Sequence, residues 1–182
     1  MKNLIVFFLF LFILTISRNA FAQVYKTEVG NVEFLSKASL NEFTGESAKL
    51  NGLIDLEKNV LDFFIDLNTL KTGIGLRDRH MRENYLETKK YPFAEFVGKI
   101  KEVVSLKPGE SQNVTAVGKF KIHGVEREIS VPGKLTALSV NEVKLDAQFK
   151  VLLSDYNIDI PKVVFYELAE EQTVTLSVNL KK

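Results

Sequence analysis

The 182-residue chain contains no cysteine, no tryptophan and only two histidines. Without cysteine it can form no disulfide, so its stability must come from one sizeable hydrophobic core. With two histidines and no HExxH or CxxC motif, it lacks the closely spaced ligands of a buried transition-metal site. The sequence therefore predicts neither a bound metal nor another cofactor.

Signals of catalysis are also scarce. No G-x-S-x-G motif supports a serine nucleophile, although Ser154, Asp155 and either His80 or His123 could be combined into a triad. No pair of carboxylates stands out among the 23 acidic residues. Because no catalytic constellation is evident, the residues favour a protein that is not an enzyme.

Residues 1–22 are typical of a secretory signal peptide. A short basic start precedes an almost unbroken apolar run over residues 4–16, and residues 20–22 have the A-x-A form of a signal-peptidase site. A transmembrane helix is the alternative, but about 13 apolar residues span roughly 20 Å, short of the roughly 30 Å hydrocarbon core. We expect cleavage of this segment, a periplasmic or secreted product, and a single domain over residues 23–182.

The charges of the chain are balanced. Removal of Lys2 and Arg18 with the signal peptide would leave 22 basic residues against 23 acidic ones. Proteins that bind phosphate backbones carry a clear basic excess or a clustered basic patch. Nucleic acid is therefore not expected as a partner.

Apolar and polar residues alternate through most of the chain after residue 23, a pattern typical of half-buried β-strands. One clear strand places five residues on its apolar face, namely Ala48, Leu50, Gly52, Ile54 and Leu56. About eight such segments are separated by turn residues such as His123-Gly124. The pattern predicts an all-β fold in which antiparallel strands form a closed barrel or a sandwich.

One charged segment interrupts this alternation, GIGLRDRHMRENYLETKKYPFAEF at residues 73–96. It predicts a short helix from Leu76 to Thr88, with Met81 and Tyr85 four residues apart on one face. A second short helix is predicted from Pro161 to Glu171, with proline in its first turn. Both are too short to be stable alone, so we expect them to cover an open end of the barrel.

The interior of an eight-stranded barrel can be just filled by side chains or can hold one small ligand. Its expected inward positions mix phenylalanines with alanines and glycines. Small residues that cluster on neighbouring strands would leave room for an elongated apolar guest, whereas small residues opposite large ones would give a full core. Alternation alone leaves both interpretations open.

The charges of the interrupting segment also have two interpretations. They could form a solvated helix face without function, which is common for charges on a short helix. At the mouth of a barrel, however, an arginine or a histidine could bond the polar end of a ligand whose tail lies inside. His80 is the better candidate for this second role, because it adjoins the apolar Met81.

Three sequence stretches in order, LRDRHMRENYLETKKYPFAEF, GKFKIHGVEREISVPGKL and LLSDYNI, resemble the YceI-like family of exported polyisoprenoid-binding proteins. The resemblance extends over residues 24–180. It implies a lipocalin-like antiparallel barrel of eight strands with a hydrophobic tunnel for an isoprenoid or another long-chain amphiphile. It also implies that Arg79 and His80 lie near the ligand-bearing end. NYLET stands where many members have a phenylalanine-rich FFD segment, a departure that bears on the ligand more than on the fold.

We therefore predict an eight-stranded antiparallel β-barrel, covered at one end by one or two short helices, that binds and sequesters or transports a long-chain isoprenoid or another amphiphilic lipid. The expected lipid-binding residues are Phe34, Phe63, Ile65, Arg79, His80, Met81, Tyr85, Phe96, Phe120, Ile122 and Phe149. The alternatives are an enzyme that acts on a tunnel-bound lipid with His80 as general base, and a ligand-free, stress-related structural protein. Transient contact with a membrane and pairing of two barrels remain open.

Overall fold

The computed structural model describes residues 23–160 and 168–182. These residues form eight strands, numbered in chain order: β1 Val24–Lys37, β2 Glu42–Asp55, β3 Val60–Asp66, β4 Phe93–Ile100, β5 Ser111–Ile122, β6 Val125–Ser139, β7 Glu142–Leu152 and β8 Glu171–Lys181. Each strand pairs antiparallel with the next, and β8 pairs with β1, which closes the sheet. The eight-stranded antiparallel barrel is thus confirmed, and the sandwich is not formed.

A covering segment, which we define as residues 67–91, connects β3 to β4. It contains a 3₁₀ turn at Leu67–Thr69, helix α1 at Gly75–His80 and a π-helical turn at Met81–Tyr85. The helix predicted from Leu76 to Thr88 is therefore present, but it begins one residue earlier and ends at Tyr85. Its last turn is wider because the amide of Leu86 donates to the carbonyl of Met81, five residues back.

The second helix, predicted from Pro161 to Glu171, falls largely outside the described residues, since these omit 161–167. Its expected last residue, Glu171, is instead the first residue of β8. A 3₁₀ turn at Leu153–Tyr156 precedes this region and directly follows β7.

The barrel opens between β2 and β3 at one end. β2 pairs with β1 along most of its length, but it pairs with β3 over only five residues, Asn51–Asp55 against Val60–Phe64. Beyond that point Glu46 of β2 and Lys71 of the covering segment exchange two backbone hydrogen bonds of 2.9 Å. The covering segment therefore takes the place beside β2 that a longer β3 would occupy.

A bulge in β2 changes which side chains point inward. Between Ser47 and Leu50, β2 carries one residue more than the stretch of β1 opposite. An extra residue in one strand reverses the alternation of inward and outward side chains. Leu50 and Ile54 are buried as expected, but Ser47 is buried and Ala48 is exposed. The prediction that Ala48 belongs to the apolar face is therefore wrong.

The two ends of the barrel differ in packing. The largest apolar side chains that are fully buried lie toward the end at which β1 begins: Ile54, Leu135, Val178 and Leu180. Toward the other end, Phe34, Phe96 and Phe149 point into the barrel and yet remain partly exposed. An inward side chain stays accessible only where empty space adjoins it. The barrel is therefore filled by its own side chains at one end and hollow at the other.

The hairpin between β5 and β6 has the expected turn at His123-Gly124. Both residues have positive φ angles, 52° and 75°, as the two-residue turn that matches the twist of a hairpin requires. A Cβ at Gly124 would also lie only 2.5 Å from the Tyr91 ring. Glycine is therefore needed here for both conformation and space.

The close approach of β4 and β5 yields a test of the barrel wall. A Cβ added at Gly118 would lie 2.2 Å from the carbonyl oxygen of Val97 and 2.4 Å from the Cα of Gly98. Backbone atoms cannot move aside cheaply, so we expect Gly118→Ala to lower the free energy of unfolding by about 1–3 kcal/mol in urea titrations. Gly75→Ala is the matched control, because a Cβ there meets nothing within 4 Å. Equal stabilities of the two variants would contradict this account.

Candidate ligand-binding site

A cavity of about 570 Å³ lies in the hollow end of the barrel, beneath the covering segment. This volume lies within the range of roughly 300–1,000 Å³ that small-molecule sites occupy. Aliphatic and aromatic side chains from all eight strands make up most of its wall. Of the two interpretations of the interior, the hollow one therefore holds at this end.

The structure brings all but one of the expected lipid-binding residues to this cavity. Those on its wall are Phe34, Phe63, Ile65, His80, Met81, Tyr85, Phe96, Phe120, Ile122 and Phe149. Arg79 is exposed on α1 and does not belong to the wall, whereas Arg77 does. Contact of these residues with a ligand stays a prediction, but their assembly around one cavity is observed.

Aromatic packing stiffens the wall on the side of β5 and β7. The Phe120 ring meets the rings of Phe149 and Tyr156 edge to face, with centroids 5.5 Å apart in both pairs. Tyr156 is buried behind the wall, and this burial raises the pKa of its phenol. Such edge-to-face contacts fix ring positions, so this side presents a preformed apolar surface to the cavity.

Glycines make room for two other phenylalanines. A Cβ at Gly52 would lie 2.1 Å from the Phe63 ring, and one at Gly45 would lie 2.3 Å from the Phe34 ring. At Gly52 a small residue therefore lies against a large one, as in a filled core. Empty space nevertheless remains in the interior, and Phe34 and Phe63 border it.

Among the described residues, six polar side chains line the cavity: Asn41, Arg77, His80, Tyr85, Glu95 and Gln172. The Arg77 guanidinium lies 4.1 Å above the centre of the Phe43 ring, a cation–π contact that holds it beside the opening. His80 is exposed on the next turn of the segment. Glu95 pairs with Lys121 at 3.3 Å. Arg77 and His80 are therefore the basic side chains among these six.

Asp78 anchors the helix that carries Arg77 and His80. Its buried carboxylate accepts hydrogen bonds from the amide and the hydroxyl of Thr72, at 2.7 and 2.6 Å. Burial alone would raise the pKa of Asp78. The two bonds from Thr72, together with the charges of Arg82 and Lys71, outweigh burial and hold the pKa below its usual value. The ionised carboxylate thus closes the loop before α1.

Two further polar contacts fix the start of the covering segment. The hydroxyls of Ser47 on β2 and Thr69 are 2.7 Å apart, and the hydroxyl of Thr88 donates to the side-chain oxygen of Asn68 at 2.8 Å. Thr88 is buried. Because these bonds tie the segment to itself and to β2, Met81 and Leu86 are held against the cavity.

Both ring nitrogens of His123 have partners other than a serine hydroxyl, so His123 does not form a catalytic triad with Ser154. Its Nδ1 lies 3.0 Å from the carbonyl oxygen of Tyr156, and its Nε2 lies 2.8 Å from the carboxylate of Glu87. The Ser154 hydroxyl donates instead to Glu170 at 2.9 Å. His123 therefore links the covering segment to the turn after β7 and is not paired with Ser154.

In the described part of the chain, no three His, Cys, Asp or Glu side chains are grouped closely enough to hold a metal ion. No helix in the same ranges has the length and hydrophobicity needed to cross a membrane.

Comparison with known proteins identifies the family of this chain. The model of the YceI-like domain matches residues 23–181. The chain belongs to the YceI-like family. The comparison with curated proteins gives no significant match.

Solved structures share the fold of this YceI-like chain at low sequence identity. A polyisoprenoid binding domain from Saccharophagus degradans, implicated in plant cell wall breakdown, has a TM-score of 0.76 and 19% identity, with 88% of this chain and 98% of that domain covered. BcnA from Burkholderia cenocepacia has a TM-score of 0.68 and 19% identity, with 82% and 95% covered. The YceI protein of Campylobacter jejuni gives 0.62 and 16%, with 76% and 84% covered.

Three residues that build the YceI-like site were not found from the sequence. Phe43 was missed because the bulge in β2 turns its side chain toward the inside of the barrel. Arg77 was missed because helical spacing alone does not distinguish it from Arg79. Asp78 resembled any other charge on a short helix. Its only sequence signal was its position six residues after Thr72, which is too weak to single it out.

The bonds of Asp78 predict a pH-dependent effect on stability. Asp78→Ala should lower the free energy of unfolding at neutral pH by about 2 kcal/mol, because two hydrogen bonds to a charged group are lost. Since the folded pKa lies below the usual value, this stabilisation is complete above about pH 4 and disappears as the pH falls through the lowered pKa. Urea unfolding of wild type and variant, at neutral and at strongly acidic pH, measures the difference.

The exposed Glu83 of the same segment provides the control for Asp78. Glu83→Ala should change the stability by less than about 0.5 kcal/mol at both pH values. A loss for Asp78→Ala that is as large in acid as at neutral pH would show that the ionised carboxylate is not what stabilises the loop.

Proposed function

We propose that this YceI-like protein binds one long-chain apolar lipid of the isoprenoid class inside its barrel and sequesters or transports it. The observation that carries the proposal is the cavity of about 570 Å³, whose wall is mostly apolar and which Arg77 and His80 of the covering segment border. An elongated molecule with an apolar tail and a polar head would match this arrangement of apolar and basic residues.

Burial of the tail supplies the energy of binding. Each methylene taken out of water contributes roughly 0.8 kcal/mol, so a dozen would contribute on the order of 10 kcal/mol before the costs of association and ordering. This contribution is non-directional. The wall therefore determines how much of a lipid tail can be buried, and it discriminates weakly between tails of similar shape.

The head group would lie at the opening, beside Arg77 and His80. Arginine donates several hydrogen bonds in a fixed geometry, which suits the oxygens of a phosphate or a carbonyl group. At an exposed site these bonds orient a ligand more than they tighten its binding. The name of the Saccharophagus degradans domain, which includes polyisoprenoid binding, supports the isoprenoid class for the tail.

Export is part of the proposal. The apolar run and the A-x-A motif in residues 1–22 support a cleaved signal. The family match starts at residue 23, and β1 starts at Val24. We therefore place the carrier in the periplasm or outside the cell, where an apolar lipid needs a protein to cross water.

An enzyme with His80 as general base is the competing proposal, and the position of His80 on the cavity wall is what favours it. A general base is usually oriented by a second polar group. Among the described residues, however, no hydrogen bond or ion pair involves the His80 ring. We therefore assign His80 to head-group contact.

Filling the cavity provides the main test. Ala147 lies on the cavity wall, and Ala147→Phe should sharply reduce the amount of lipid that co-purifies from the natural host, as measured by native mass spectrometry. Ala48→Phe is the matched control, because Ala48 is exposed on the outside of the barrel. Circular dichroism and thermal unfolding verify that both variants fold. Wild-type protein that carries no lipid after gentle purification would refute the carrier proposal.

Replacement of His80 separates binding from catalysis. His80→Ala should retain the same lipid, of the same mass, in nearly the same amount as wild type, because tail burial dominates the affinity. Native mass spectrometry of both proteins from the same host makes the comparison. If the variant instead accumulates a lipid of different mass, an unconverted substrate is trapped, and His80 is catalytic.

A further inference from the structure

Large apolar side chains are exposed around the opening of the cavity. Ile74 and Leu76 of the covering segment border it with 50% and 54% of their surface exposed, and Phe64 of β3 borders it with 42% exposed. Phe93 lies next to Phe64, with ring centroids 6.0 Å apart, and is 43% exposed. We call these four residues the mouth rim. Contiguous exposed apolar groups on a soluble protein mark an interaction surface.

The segment that carries half of this rim has an excess of positive charge. Residues 71–90 contain six basic residues, Lys71, Arg77, Arg79, Arg82, Lys89 and Lys90, but only three acidic ones, Asp78, Glu83 and Glu87. Two of the three acidic side chains already have hydrogen-bond partners: Asp78 accepts from Thr72, and Glu87 contacts the His123 ring. The covering segment therefore carries a net charge of +3, although the chain as a whole is nearly neutral.

Ion pairing elsewhere in the molecule shows that this excess is local. Among the described residues, seven lysines pair with carboxylates, and all seven pairs lie outside residues 71–90. None of the six basic residues of that segment has a described carboxylate within ion-pair distance. Arg77 and Lys90 instead lie over the rings of Phe43 and Tyr91. Several lysines of the strands are therefore paired within the protein, whereas the six basic residues of the covering segment are not paired with any described carboxylate.

We propose that the mouth rim and the basic residues around it dock the barrel on the surface of an anionic lipid bilayer. The proposal rests on the proposed lipid-binding function and names the partner from which the ligand is taken. Apolar side chains of an interfacial site enter the boundary between head groups and acyl chains, and nearby lysines and arginines are attracted to anionic lipids. Because the rim borders the cavity, a lipid tail can pass between bilayer and barrel without crossing water.

Removal of the apolar rim gives the first test. The double variant Ile74→Ser with Leu76→Ser should bind vesicles of equimolar phosphatidylcholine and phosphatidylglycerol roughly tenfold more weakly than wild type in co-sedimentation. Serine at position 74, the residue before the first helical residue, also suits a helix cap, so α1 is retained. The matched control is Val103→Ser with Val140→Ser, two valines that are even more exposed but do not border the cavity.

Removal of positive charge gives the second test. Arg79→Gln with Lys89→Gln should weaken binding to the same vesicles about tenfold, because each basic residue near an anionic surface contributes to attraction. The exposed Lys107 and Lys134, changed together to glutamine, are the control and should change binding little. Pure phosphatidylcholine vesicles and added salt should both weaken binding of the wild type, since screening shortens the range of the attraction.

The outcomes separate this proposal from the proposed function. Wild-type protein that carries lipid but does not bind anionic vesicles overturns the docking and leaves the carrier intact. Protein that binds the vesicles but never carries lipid supports the docking and overturns the carrier. If wild type ignores vesicles and forms dimers that the Ile74→Ser, Leu76→Ser variant does not form, analytical ultracentrifugation will show that the rim is a self-association surface, and the docking proposal is wrong.

Discussion

The short pairing between β2 and β3 is the constraint on which the rest of the structure depends. A closed sheet normally gives each strand a neighbour on both sides, and this removes exposed edges. Here β2 has β3 beside it for only five of its 14 residues, so more than half of its edge must be met by something else. Residues 67–91 meet it, through the bridge between Glu46 and Lys71. The opening, its cover and the cavity beneath all follow from this one shortened strand pairing.

A cover built from a short helix cannot be stable by itself, and its stability comes from polar contacts at its margins. Asp78 with Thr72, Thr88 with Asn68, and Ser47 with Thr69 lie around the apolar contacts of Met81 and Leu86. Hydrogen bonds of this kind are directional, whereas the apolar contacts with the cavity are not. The margins therefore fix where the segment lies, and the face toward the cavity can still adapt to different apolar neighbours.

The alternation in the sequence was enough to predict an all-β fold of about eight antiparallel strands and most of the wall, because one buried face fixes the inward side of each strand. The resemblance to the YceI-like family was needed to choose the barrel over the sandwich. It failed at Ala48 and Phe43, since a single extra residue in β2 leaves the composition of the strand unchanged and only its pairing with β1 reveals the bulge. Arg77 and Asp78 were not distinguished from other charges of α1. Their roles depend on the rotation of a six-residue helix, which the positions of Thr72 and the Phe43 ring decide.

The wall of the cavity is mostly apolar, and this limits where selectivity for a ligand can arise. The free energy of burying a lipid tail in the barrel depends on its apolar area. Phe34, Phe96 and Phe149 would therefore accept many tails of suitable length. Discrimination between head groups needs directional polar contacts, and the cavity has polar side chains at Asn41, Glu95 and Gln172 and, in the covering segment, at Arg77, His80 and Tyr85. Tyr85 and Leu86, which lie in the stretch where the sequence departs from the family pattern, belong to the same segment. In a lipid-binding barrel of this architecture, a change of head-group preference would therefore involve these six polar residues, half of which lie in residues 67–91.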